Sequence, residues 1–357
     1  ILRNGSIQNY NLSLTGGSDK FQYALSLNHF DQEGIIRYSD YDRNSIRANF
    51  TANPVKWLQI GNNTSFSRVK QNGVDVEVDG VLKSAILSVP TMKVYNEDGG
   101  FAGPNTLLEG NARNPLAMAA SSNINNLTYR FTDNAFVQFN IVKGLTFKTS
   151  LGLDLLVENN RDFDPTYKEG DVDNTVSSLN QATNMQLDWI WENVLNYKFN
   201  IKKNNFTVLA GFSMEENVKD WEDITKSNFI GNYDFLQYLS NGSVVDASDV
   251  TGLREEWSMV SYFGRLDYNY DNRYLLSASV RADGSSRFAD GNRYSVFPSF
   301  ALGWRLSSEK FAQSWKWLDD MKIKASWGQL GNQDIGLYAF RGVMAPYYYN
   351  MNGSSVT

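Results

Sequence analysis

Along most of the chain apolar and polar residues alternate with a period of two, the period of a strand whose successive side chains point to opposite faces. Residues 260–306 carry the clearest example. Val260, Tyr262, Leu266, Tyr268 and Tyr270 occupy even positions, against Arg265, Asp267 and Asn269 at odd ones. Tyr274, Leu276, Ala278, Val280 and Ala282 then oppose Ser277, Ser279, Arg281 and Asp283. Val296, Phe300, Leu302, Trp304 and Leu306 oppose Ser295, Ser299, Gly303 and Arg305. The two connections differ: 271–273 is a tight turn flanked by tyrosines, whereas 284–294 is polar, Gly-rich and longer.

The same alternation predicts strands over 7–14, 21–30, 44–52, 57–66, 134–141, 145–157, 187–199, 206–214 and 321–330. With the three above, the count is about twelve. Where the alternation lapses, long loops are expected near 70–128, 159–184 and 217–255. A connection of that length has a structure or function of its own. Val81, Leu82, Ala85, Ile86 and Val89 have helical spacing, which predicts a helix over 80–89 that Pro90 ends. Residues 219–229 and 307–320 are further candidates for helical turns.

Short and long connections alternate through the chain, the pattern of periplasmic turns and extracellular loops in an outer-membrane barrel. Trp57, Tyr197, Phe199, Phe206, Tyr268, Tyr270, Tyr274 and Trp304 gather near the short turns, where an interfacial girdle would sit. The expected fold is therefore all-β: an antiparallel transmembrane β-barrel, with apolar rows toward lipid, polar rows toward a lumen, and the long loops external.

Composition sharpens this reading. Aromatic residues make up 14% of the chain, yet the mean hydropathy is only −0.41. No run approaches the roughly 18 apolar residues of a spanning helix, which excludes a helical membrane protein, whereas barrel strands need only about 9–11 alternating residues. The absence of cysteine removes disulfides and thiolate metal sites. A formal charge of −6 argues against a nucleic-acid surface. The chain begins at Ile1 without a signal sequence and ends in a Gly/Ser-rich stretch at Thr357, and is read as an internal fragment of something longer.

Several segments carry a family resemblance. DGSSRF (283–288), FPSFALGW (297–304) and GQLGNQDIG (328–336), with VPTMKVYNEDG (89–99) and ARNPLAM (112–118) earlier, resemble the SusC/RagA family of TonB-dependent outer-membrane transporters. The resemblance covers most of the chain in order. It implies that residues 1–357 are a partial barrel domain, supplying about twelve strands of an about 22-stranded barrel whose lumen is plugged. On that resemblance the plug domain is expected outside this chain. The implied function is active import of a large nutrient, a glycan oligomer or peptide, across the outer membrane of a Gram-negative bacterium. The implied partners are a SusD-like surface lipoprotein and the TonB-ExbB-ExbD system, the latter reached through an N-terminal region this chain lacks. Two other functions fit the alternation alone: a passive porin, and a soluble all-β binding module.

Candidate chemistry is sparse. The sole histidine, His29, falls in phase with the outward row near the outer end of its strand and reads as an interfacial residue. A Ser-His-Asp hydrolase would lack its base, so no catalytic residue is assigned and no enzyme is expected. Asp75, Glu77 and Asp79 before Gly80 lack the full spacing of a calcium loop and read as a solvated loop; no metal or cofactor is expected. Arg265, Asp267, Arg281, Asp283, Arg287 and Arg305 form a charged row facing a lumen or a plug. The loop aromatics Trp221, Tyr233, Phe235, Tyr238, Tyr95 and Phe101 are candidates for stacking on substrate, against the plainer role of packing loops together.

Overall fold

The computed structural model describes residues 1–76, 80–315, 317–342, 349–351 and 354–356. Antiparallel strands dominate it. In order these are β1 (Ile7–Gly17), β2 (Phe21–Glu33), β3 (Asp40–Val55) and β4 (Leu58–Gly73). Three short helices follow: α1 (Val81–Leu87), α2 (Thr106–Glu109) and α3 (Pro115–Ser121). Then come β5 (Asn123–Val142), β6 (Leu145–Asp164), the small hairpin β7 (Tyr167–Glu169) and β8 (Val172–Asn174), β9 (Ser178–Ile201) and β10 (Asn204–Phe229). The chain closes with β11 (Gly242–Val244), β12 (Val250–Tyr270), β13 (Tyr274–Ser285), β14 (Tyr294–Arg305) and β15 (Lys322–Gly328), ahead of a short terminal hairpin.

The molecule divides into two units, and β5, β6, β9, β10 and β12 contribute residues to both. In the first unit (1–137, 150–189 and 218–255) the strand order is β1-β2-β3-β4-β5-β6-β9-β10-β12, with β11 beside β10. Registers such as Leu12↔Leu27 and Leu27↔Ile46↔Phe66 align the apolar rows of neighbouring strands. The second unit (138–149, 190–217 and 256–357) continues β12-β13-β14-β15, with Leu276 opposite both Tyr268 and Leu302. Rings join strand to strand along its apolar face: Tyr197 stacks on Phe199, Phe199 on Phe206, and Phe206 meets Tyr268 with centroids 4.9 Å apart.

Expected and observed elements agree in number along the main path, where twelve strands follow one another. Several boundaries differ. Strand pairing runs on through 159–164 and 178–184, so much of the loop expected near 159–184 is the outer part of β6 and β9. The helix expected over 219–229 is instead the last part of β10, which reaches 26 residues. The third long connection is accordingly 230–249. The helix expected over 80–89 forms as α1, and 307–320 holds two single 3-10 turns.

The tight turns need unusual backbone. Asp271 and Asn272 both take positive φ, +50° and +55°, a conformation that short polar side chains tolerate. Lys203 Nζ and Arg273 Nη2 each meet the Asp271 carboxylate, at 2.8 and 3.3 Å, closing the turn on its neighbour.

Large apolar side chains are mostly on the surface. Leu12 is 68% exposed, and Leu27, Ile46 and Phe66 also stand clear of protein. Two small buried clusters, Val74-Val81-Ala119 and Phe163-Leu179-Phe229, lie away from these rows, at the outer ends of strands. A water-soluble sheet would cover such rows, whereas a barrel wall turns them to lipid. The rows therefore predict depth-dependent damage. Leu151→Arg, seven residues beyond the β5-β6 turn, should destabilise insertion by about 2–4 kcal/mol, and Ile201→Arg beside a short turn by about 0–1 kcal/mol. Folding yield into vesicles, read from heat-modifiable gel mobility, measures both.

Candidate functional site

The face opposite the apolar rows is polar, and many of its charges are paired. Arg265 meets Asp267 two residues along the same strand at 2.8 Å, and Ser277 Oγ donates to the same carboxylate at 2.6 Å. Arg281 repeats the arrangement with Asp283 at 2.6 Å and also donates to the buried Ser261 Oγ. Arg130 grips Asp154 through two hydrogen bonds of 2.9 and 2.5 Å. Arg305 approaches Asp320 at 3.5 Å, and Arg287 bonds Asp334 at 3.1 Å while lying over the Trp257 ring. In the first unit the same face carries an amide cluster, in which Asn28 donates to Asn9 and Asn11 at 2.6 and 2.8 Å. Each arginine of the charged row read from sequence thus has a carboxylate beside it.

At the outer end of this face, within the first unit, lies a cavity of about 690 Å³. Asp162 and Asp164 of β6 share the face of Asp154 by alternation and reach its rim with Asp75, Arg113 and the apolar groups Val81 and Met118. Partial burial raises the Asp162 pKa above the usual carboxylate range, and the charges of Asp164 and Asp75 add to it. Burial raises Asp164 as well, partly offset by Arg113.

One knot holds the cavity's rim. Arg113 makes a two-pronged pair with Glu169 of β7 at 2.6 and 3.1 Å, and its guanidinium lies 3.5 Å over the Tyr167 ring. Both charged side chains are largely buried. Beside it Asn114 caps α3 by accepting from Leu116 N and Ala117 N, while its amide donates to Val94 O and Ala102 O. Pro115 follows at the first helical position, where no N–H is needed. The Asp171 carboxylate accepts from Thr106 N at 2.9 Å. Residues 80–122 therefore form a lobe fastened to the β7-β8 hairpin.

No protein-family model matches the chain. Curated relatives do. TonB-dependent receptor P3 of Formosa agariphila is 28% identical over 348 residues, 95% of this chain and 34% of the relative. TonB-dependent receptor SusC of Bacteroides thetaiotaomicron is 27% identical over 370 residues, 94% of this chain and 35% of the relative. The RagAB peptide importer in its open-open state superposes with a TM-score of 0.82 at 25% identity, covering 98% of this chain and 39% of that one. Over most of its length the chain is thus similar to TonB-dependent receptors, SusC and the RagAB importer among them. It spans about a third of the length of the curated relatives it matches.

In an outer-membrane barrel wall the apolar rows face lipid, and the ion-paired face is the one turned away from it. The six aromatic candidates do not converge. Tyr95 and Phe101 stack at 5.6 Å within the lobe. Tyr233 and Phe235 stack at 5.5 Å in the 230–249 connection, and Tyr238 lies 5.4 Å from Arg161. Trp221 is a half-buried residue of β10, not of a loop. Gln237 pins the Tyr233-Tyr238 segment to the sheet, accepting from Asn123 Nδ2 through its side chain and from Arg161 through its carbonyl. Asn123 and Arg161 alternate in phase with the lipid-facing row, so this segment lies on the side away from the lumen. His29 stands in that row too, stacked on Tyr10 with Nδ1 2.9 Å from Asn44 Oδ1. Glu77 and Asp79 of the acidic run lie outside the described residues. The residues that line the cavity, Arg113, Asp162 and Asp164, and those that brace its rim, Asn114 and Glu169, were missed in sequence; the one signal was the ARNPLAM segment, whose Asn-Pro pair marks a helix start.

Two outcomes follow from the cavity. Replacing Arg113 by Ala leaves Glu169 buried and unpaired, which should cost the lobe about 3–5 kcal/mol. Faster protease nicking within 80–122 on intact cells would report it. For Asp162 the folded-state pKa lies above the unfolded one, so protonation favours the fold: the outer end should gain stability as pH falls through the raised value. Asp162→Asn should flatten that dependence in the same proteolysis measurement.

Proposed function

We propose that this chain forms part of the wall of an energised importer, taking in a nutrient too large for diffusion through an open pore, either a peptide or a glycan oligomer. The observation that carries the reading is a polar, charge-neutralised face that ends in a mixed polar and apolar cavity, on a sheet similar to the RagAB peptide importer and the receptor SusC. The cavity offers carboxylates, a guanidinium and apolar groups together, a set that suits the termini and side chains of a peptide; the stacked Tyr95-Phe101 pair offers a platform for either substrate. Coupling to TonB-ExbB-ExbD and a SusD-like lipoprotein over the 80–122 lobe complete the proposal, with the long connections placed outside the cell.

The test is uptake by the full-length receptor in cells, with labelled oligopeptide and oligosaccharide pools supplied separately. Accumulation of one pool should stop when the proton-motive force is collapsed or TonB is deleted. Entry that persists without TonB would indicate a porin and end the active-import reading. Tyr95→Ala with Phe101→Ala should raise the half-saturating nutrient concentration about two- to tenfold, from the loss of one stacking contact.

A further inference from the structure

The recess beneath the 230–249 connection has a different chemistry from the lumen and faces the other way. Its floor is the lipid-side face of β4, β5 and β6. Register fixes that face: Phe66 stands opposite Ile46 in the exposed apolar row, Arg68 opposite Asn44, and Lys70 opposite Asp42. Arg68 and Lys70 therefore share the row of Phe66, two and four residues farther from the short β3-β4 turn. Phe66 also stacks on Tyr129 of β5, which puts Leu127, Asn125 and Asn123 on this side by alternation. The apolar band ends at this height and the recess begins.

Its volume is about 360 Å³. Three cations line it, Arg68, Lys70 and Arg161, against one carboxylate, Asp234. Arg68 is shared with Asp42 at 3.6 Å, Lys70 is exposed, and Arg161 Nε has no hydrogen-bond partner. Between them stand the amides of Asn125, Asn159 and Gln237. Gln237 is itself buried and holds the roof in place. Beside it Ile230, Tyr233 and Phe235 are left exposed, Ile230 at 83%.

We propose that this recess binds the phosphorylated sugar headgroup of a glycolipid in the outer leaflet. Four features argue for that occupant. The recess is continuous with the lipid-facing rows, so the headgroup of a lipid packed against Phe66 and Tyr129 arrives at its entrance. Cations exceed carboxylates there, which matches a phosphate at the height where headgroup charge resides. Neighbouring amides supply both donors and acceptors for sugar hydroxyls. The exposed rings of Tyr233 and Phe235 lie in the same connection, as aromatic anchors at a membrane-water interface do, with Ile230 exposed beside them.

The test uses the full-length receptor purified in a neutral detergent. It is titrated with bisphosphorylated lipid A, with lipid A stripped of phosphate, and with glucosamine 1-phosphate as the headgroup without a lipid. The phosphorylated lipid should bind, the stripped lipid should bind more weakly, and Lys70→Ala should weaken the phosphorylated form about fivefold. Lys70→Glu should weaken it further, and because the residue is exposed the fold should survive. Equal binding of both lipids, or no change in Lys70→Glu, would overturn the proposal. So would glucosamine 1-phosphate binding as tightly as the lipid, since the occupant would then be a soluble phosphosugar. Nutrient uptake is a separate readout, so failure here leaves the import reading standing.

Discussion

In hydrocarbon an unpaired backbone N–H or C=O has no water to turn to, and each costs several kcal/mol. The rest of this chain answers to that constraint. Strands pair in chain order along the sheet, and the alternation that pairing imposes hands one face to lipid and the other to the lumen. Hence the inversion relative to a soluble protein: Leu12, Leu27 and Ile46 are exposed because lipid is their solvent, while the small buried clusters sit at the outer ends of strands, where water returns.

The lumen face meets a second requirement. Alternation puts residues i and i+2 of one strand on one face, so an arginine reaches the carboxylate two positions along without help from the fold. Arg265-Asp267 and Arg281-Asp283 are built this way. Pairs as open as these contribute little stability, about 0–1 kcal/mol each. Their effect lies in the field. A lumen studded with unpaired guanidinium groups would hold anions, whereas a paired row stays wet without selecting a charge.

How much of this was legible depended on lipid. Wherever one face meets hydrocarbon the apolar residues are obligatory, and the period of two could be read directly, as in residues 260–306. Above the membrane both faces meet water or loops. The outer part of β10, EENVKDWEDITKSNF at 215–229, keeps its backbone pairing but loses the apolar row, so its strand character vanished from the pattern and a helix was expected instead. The rim of the cavity was illegible for a different reason. Arg113 and Glu169 are 56 residues apart in the chain, and no local period announces a contact at that separation. Asn114 and Pro115 were half-legible, since a cap followed by proline is a local device.

The Arg113-Glu169 pair also bears on why the outer end is ordered. A buried ion pair is weak evidence for stability, because desolvating both charges offsets most of their attraction. What it does supply is a unique arrangement: with Tyr167 under the guanidinium and Asn114 gathering two carbonyls, a shifted lobe would strand a charge and several polar groups at once. Selection of one geometry by penalty suits a wall whose two sides do different things at one height. Toward the lumen it presents Asp162 and Asp164 beside apolar groups; toward the membrane surface it presents Lys70, Arg68 and Arg161. On β6 the two sets alternate, Arg161, Asp162, Phe163, Asp164, and a slip of one residue would exchange them. The fastened lobe and the pinned 230–249 connection are what make that slip costly.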